Sequence, residues 1–286
     1  MTLTKPFAVR AALAALWSLA LAVTCTMTAG SAAPNASAAS PAPAAVGAGL
    51  ERLARAAEEL VAELTPERNV YGSHPTEVLW ADPAAGIAAR NRSVCSSFLS
   101  HLLERVYGIT PDRLAALTGK RNPHARDYYE AIVAQRGFAR LSTVGEIRRG
   151  DVIALSYPPG SGSTGHVMVV AARPELREST APLLDGTRQY AVTAIDSSHS
   201  VHGLADTRGT PARHGTGVGR GVFRLYADSA GAIVASSWSV LRGSRLDDVR
   251  VRKLAAGRFT DVAAAFYAPP DRYGTNVSDE RPEHEF

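Results

Sequence analysis

The apolar residues of this chain change period once, near Gly137, and that change constrains the fold more than any other feature. Before it, Leu50, Leu53, Ala57, Leu60, Val61 and Leu64 recur at the spacing that puts side chains on one helix face, with Glu51, Arg55 and Glu58 on the other. The spacing returns in Val94, Phe98, Leu99, Leu102, Leu103 and Val106, and Gly108 ends that stripe. Residues 110–118 and 125–137 read as two more helices. After Gly137 come short apolar runs rich in β-branched residues at 151–156, 166–172, 189–195 and 221–227. A further run at 234–241, holding Trp238, follows a turn at 228–231. Helices first and strands after predict an α+β domain, its N-terminal helices packed on an antiparallel β-sheet. The polar, Pro-interrupted stretch 65–91 reads as a connection, and no internal repeat is present.

The N-terminus has a different character. Lys5 and Arg10 precede an apolar run at 11–23, and the small residues Ser31, Ala32 and Ala33 follow, which is the layout of a secretory signal with its cleavage site. The run is too short for a comfortable membrane span. Residues 1–33 are therefore expected to be a signal peptide and 34–49 a flexible Ala/Pro/Ser tether. Residues 50–268 are expected to form the folded domain, and 269–286 a polar tail. The implied location is secreted or periplasmic, at the cell envelope, with no stable membrane span in the mature chain. Ala22-Val23-Thr24, ahead of Cys25, lacks the leucine and the small residue of a lipid-attachment motif, so Cys25 is expected to leave with the signal.

The chain carries 31 basic and 27 acidic residues, a formal net charge of +4 that includes Lys5 and Arg10. Nearly all the cations are arginines, and none form a dense block, which argues against nucleic acid as a partner. A mildly cationic surface suits an anionic wall polymer.

Cleavage of the signal leaves Cys95 as the only cysteine, so the mature chain has no intramolecular disulfide to form. Cys95 falls in the first turn of the second helix, where unpaired backbone N–H groups favour a thiolate. A nucleophilic thiol also needs a base, and His166 heads the apolar run Gly165-His166-Val167-Met168-Val169-Val170. Asp196 ends the next run, and if the two strands are antiparallel neighbours it falls beside His166 to orient the imidazole. His199 is the neighbouring alternative for that orienting role.

The segments that carry these residues resemble the NlpC/P60 cysteine peptidases. Cys95-Ser96-Ser97-Phe98-Leu99 is similar to their nucleophile motif, Gly150-Asp151-Val152 to their Gly-Asp strand, and Gly165-His166-Val167 to their histidine strand. The resemblance covers about residues 71–195 and departs from the family in three places. Val94 stands where an Asp is usual, Ser97 replaces a Gly, and an insertion at 174–186 lengthens the interval from His166 to Asp196. What it implies is a permuted papain-like fold and amide hydrolysis through a thioester on Cys95, with peptidoglycan stem peptide or another peptide amide as substrate and no cofactor. Tyr71 resembles the family's upstream tyrosine, a candidate oxyanion donor beside the Cys95 N–H. His199 and His202 are candidates to line the cleft, and Arg220 to hold a substrate carboxylate.

Other readings compete. Asp196, His199, His202, Asp206 and His214 cluster in sequence as zinc ligands do, yet lack helical spacing in a Ser/Gly/Thr-rich loop, so no metal is expected. The alternating glycines at 215–221 precede a strand instead of a helix, which fails the context of a nucleotide loop and suits a close approach of chain segments. A catalytically silent wall-binding module and a thiol acyltransferase remain alternatives to a hydrolase.

Overall fold

The computed structural model describes residues 43–209 and 215–261. The expected signal peptide with Cys25, the first part of the tether, the polar tail and His214 lie outside the described residues. Among the described residues there are four α-helices: α1 (Pro43–Glu63), α2 (Cys95–Tyr107), α3 (Pro111–Thr118) and α4 (Ala125–Val133). α1 starts within the stretch expected as tether. Its alanines favour helix, and absence of charge alone did not reveal that. Leu53, Ala57 and Leu60 on its inner face are fully buried.

The stretch 65–91, expected as irregular, holds a small sheet. Strands β1 (Asn69–Tyr71), β2 (Glu77–Leu79) and β3 (Arg90–Ser93) pair in the order β1-β3-β2, with β1 parallel to β3. Such short strands of mixed polarity lack the apolar alternation by which strands are recognised.

The main sheet contains β4 (Phe138–Leu141), β5 (Val152–Ser156), β6 (Gly165–Val170), β7 (Glu175–Arg177), β8 (Arg188–Ser198), β9 (Gly217–Ala227), β10 (Ile233–Ser237), β11 (Leu246–Asp248) and β12 (Lys253–Phe259). Its order is β11-β10-β9-β8-β6-β5-β12-β4, with β7 alongside β8, and its pairings are antiparallel. The α+β class with helices beside an antiparallel sheet is therefore what the chain adopts. Strands β4, β7, β11 and β12 were not expected; β12 returns from the C-terminal side to insert between β5 and β4, and β10 stops at Ser237, one residue before Trp238.

Both faces of the central strands are covered. Val167, Val169 and Ile195 join the core formed with Phe98, Leu99, Leu102 and Leu103 of α2. Met168, Val170, Val192 and Ala194 point the other way, into a second core with Phe223 and Leu225. This explains why β6 reads as a continuous apolar run: all six of its residues are buried. No described helix is long and apolar enough to cross a membrane.

Candidate active site

Cys95 is the first residue of α2, after an N-cap Val94 in extended conformation. Valine offers no acceptor, so no side chain at the cap competes for the first N–H groups. The Val94 N–H itself donates to Ser97 Oγ at 3.0 Å, while Phe98 N–H is the first to reach back to a backbone carbonyl, that of Val94. The Cys95 N–H makes no described hydrogen bond. The segment before it is fastened from several sides. Ser197 Oγ donates to the Ser93 carbonyl at 2.7 Å, tying β8 to the residues just ahead of the sulfur. Asn91 donates to Asn69 Oδ1 at 2.9 Å, and Asn69 exchanges two 2.7 Å bonds with Val218 on β9.

His166 is the second residue of β6, opposite Leu155. β6 and β8 are antiparallel neighbours in the register Val169 with Ile195, so Asp196 and His166 share a face near the same end of the sheet. His166 Nε2 is hydrogen-bonded to Asp196 Oδ2. The Cys95 sulfur lies close enough to the ring for its charge to act on it. The three residues that the sequence singled out thus meet in the order sulfur, imidazole, carboxylate.

Burial alone would push the His166 ring toward neutrality. The negative charges of Cys95 and Asp196 and the hydrogen bond to Asp196 outweigh it and raise the ring to about 10. Asp196 has no exposed surface. Its burial favours protonation, but Arg208, His202 and His166 around it hold the carboxyl well below the usual range.

Several of these partners were not foreseen. Arg208 Nη1 donates to Asp196 Oδ1 at 2.8 Å, and its Nε and Nη2 donate to the two oxygens of Asp206 at 2.9 and 2.6 Å. His202 Nε2 lies 2.8 Å from Asp196 Oδ2. Trp238 stacks on the His202 ring with centroids 4.1 Å apart and meets the His166 ring edge-on at 4.8 Å. A sequence signal for this arrangement existed in the alternating glycines. A Cβ at Gly221 would stand 2.5 Å from Asp206 Oδ2 and 2.6 Å from His202 Cβ, and one at Gly219 would stand 2.3 Å from Arg208 Cγ. Glycine on this face of β9 leaves the room that the loop after β8 occupies.

Tyr71 reaches the site because β1 runs parallel to β3 and sets it opposite Ser93, two residues before Cys95. Burial first, and then the charges of Cys95 and Asp196, push its phenol above the usual range. A second tyrosine, Tyr157 just after β5, also feels the sulfur. Burial raises it to about 12, with Asp247 and Cys95 adding to the effect and Arg252, stacked 4.4 Å over its ring, opposing it. His199 is exposed, with its ring 6.0 Å from that of Tyr71, on the rim rather than against His166. Arg220 is placed elsewhere. It is exposed opposite Ile195, its charge acts on Glu58 of α1, and it makes no described contact with Cys95, His166 or Asp196.

Of the residues considered as zinc ligands, Asp196 and His202 converge, together with His166 and without His199. Ligand atoms of the three lie within 4.8 Å of one another. Two ligands on one tetrahedral zinc stand about 3.3 Å apart. The 2.8 Å between His202 and Asp196 is a hydrogen-bonding distance, and His166 sits closer still.

No protein-family model matches the chain, and no solved structure does. The uncharacterized protein R653 of Acanthamoeba polyphaga mimivirus is 31% identical to it over 172 residues, which cover 57% of this chain and 76% of the viral protein.

Proposed function

This chain belongs to one family with the mimivirus protein R653, and we propose that it is an exported cysteine hydrolase of papain-like design that cleaves an amide bond. The observation that carries this reading is the buried series of Cys95 at a helix N-terminus, His166 near enough to feel its charge, and Asp196 hydrogen-bonded to Nε2 of that ring.

In the proposed reaction the Cys95 sulfur attacks the carbonyl carbon, and the charge that develops on oxygen meets the unpaired Cys95 N–H and the Tyr71 hydroxyl. Collapse of the tetrahedral species breaks the C–N bond, and His166 gives its proton to the departing amine, leaving a thioester. Water then attacks the thioester while His166 takes its proton, and the sulfur leaves with the carboxylic acid released. Asp196 keeps the ring aimed throughout. Peptidoglycan stem peptide is the proposed substrate, supported by the resemblance of the Cys95 and His166 segments to NlpC/P60 peptidases and by the leader-like N-terminus.

Incubation with purified wall muropeptides, followed by mass spectrometry, tests this. New free amines from the native chain and none from Cys95→Ala are expected. Intact muropeptides with both, or equal cleavage by both, would contradict it, and a new amide in place of an acid would redirect it to acyl transfer.

A further inference from the structure

The hydrogen positions around His202 follow from its partners. Its Nδ1 lies 2.6 Å from the Trp238 carbonyl oxygen, which can only accept, so Nδ1 bears a hydrogen. Its Nε2 lies 2.8 Å from Asp196 Oδ2, and a carboxylate oxygen also accepts, so this bond needs a second hydrogen. Arg208 donating to the other oxygen of Asp196 keeps that carboxyl ionised and assigns the hydrogen to the ring.

The surroundings are closed on every side. His202, Asp196 and Arg208 side chains have no exposed surface. Asp196 faces the ring from β8, Phe223 from β9 at 6.1 Å, His166 from β6 at 6.3 Å, and Trp238 from the end of β10. Asp206 accepts the His202 backbone N–H at 2.7 Å and binds Arg208. Two carboxylates, Asp196 and Asp206, therefore share the Arg208 guanidinium, with the His202 ring bonded to Asp196 beside it.

We propose that His202 is a positioning residue that carries hydrogen on both ring nitrogens, anchors Asp196, and offsets part of its charge so that Asp196 aims His166 while holding its proton less firmly than it would alone. This inference rests on the hydrolase reading of the site and adds a reason for the second histidine. His166 has to surrender its proton to the leaving amine, and a fully unbalanced carboxylate beside it would hold that proton too firmly.

Nitrogen-15 NMR of the histidine rings in the full chain tests it, with the His202 signals assigned by their loss in His202→Gln. Two N–H groups on His202 at neutral pH are expected; a nitrogen without hydrogen would overturn the proposal. A second arm follows the His166 titration in a Cys95→Ala background, with and without His202→Gln. Loss of a neighbouring cation should raise the His166 midpoint by about one unit, whereas a merely structural role would leave it in place and overturn the proposal. If the double variant does not fold, the wild-type ring spectrum decides alone. Failure of the hydrolase reading is separate: it would appear as a Cys95 no more reactive than in unfolded chain, whatever the His202 spectrum shows.

Discussion

Cys95 and His166 are each modest groups made reactive by what they touch. The ring of His166 is raised chiefly because the sulfur's negative charge overcomes the cost of burying an imidazolium. Removing the sulfur takes away that charge, so the His166 midpoint should fall in Cys95→Ala. A ring titration by NMR checks this, and an unchanged midpoint would mean that the two groups do not interact. Tyr71→Phe removes a proposed oxyanion donor without altering the ring that packs there. The loss in turnover of muropeptides should be about 10²-fold with little change in KM, since the bond forms only in the transition state. Arg220 offers a contrast: its place beside Glu58 predicts that Arg220→Ala leaves turnover unchanged.

The elements that hold these residues are held by arginines. Arg149 forks onto Glu58 with bonds of 2.6 and 2.7 Å, reaches Glu51 at 3.0 Å and donates to the Ala171 carbonyl at 2.7 Å, clasping α1 to the end of β6. Arg258 on β12 donates twice at 2.9 Å to Asp151, whose carboxyl has no exposed surface. Arg258→Ala should destabilise by about 3 kcal/mol, because it leaves a buried carboxyl with the Arg148 N–H but no cation bonded to it. Arg149→Ala should cost about 1 kcal/mol, since its partly exposed pairs are screened by water. Urea denaturation of both variants measures the difference, and equal losses would contradict the ranking. The four helices and the strands carrying His166 and Asp196 were legible in the sequence because their apolar side chains repeat at the period of the element. β12 was not. Its Ala255, Ala256, Gly257 and Arg258 lack the β-branched residues that mark strands, and only pairing with β5 and β4 holds it in the sheet. The triad was legible as residue types in order. The ring of support from His202, Asp206, Arg208 and Trp238 was not, because it depends on which side chains the glycine face of β9 admits.

For the whole molecule, the buried charges set how stability follows pH. Asp196 is depressed in the folded state, so its contribution is present above the unfolded value of about 3.9 and is lost as pH falls through the folded value. His166 is raised, so its contribution is complete below about 6.5 and is lost as pH rises through about 10. Stability should therefore be greatest between about pH 4 and 6.5, and denaturation midpoints across pH would show it. A steady rise in stability from pH 7 to 10 would contradict these signs.

The measurement closest to the central claim is the rate at which iodoacetamide alkylates Cys95 at pH 6, read by peptide mapping so that Cys25 is counted separately, in native chain, in denatured chain and in His166→Ala. A thiol paired with the His166 ring should react faster in native chain than in denatured chain despite its burial, and the advantage should vanish in His166→Ala. Native reactivity equal to or below that of the denatured chain would contradict the account.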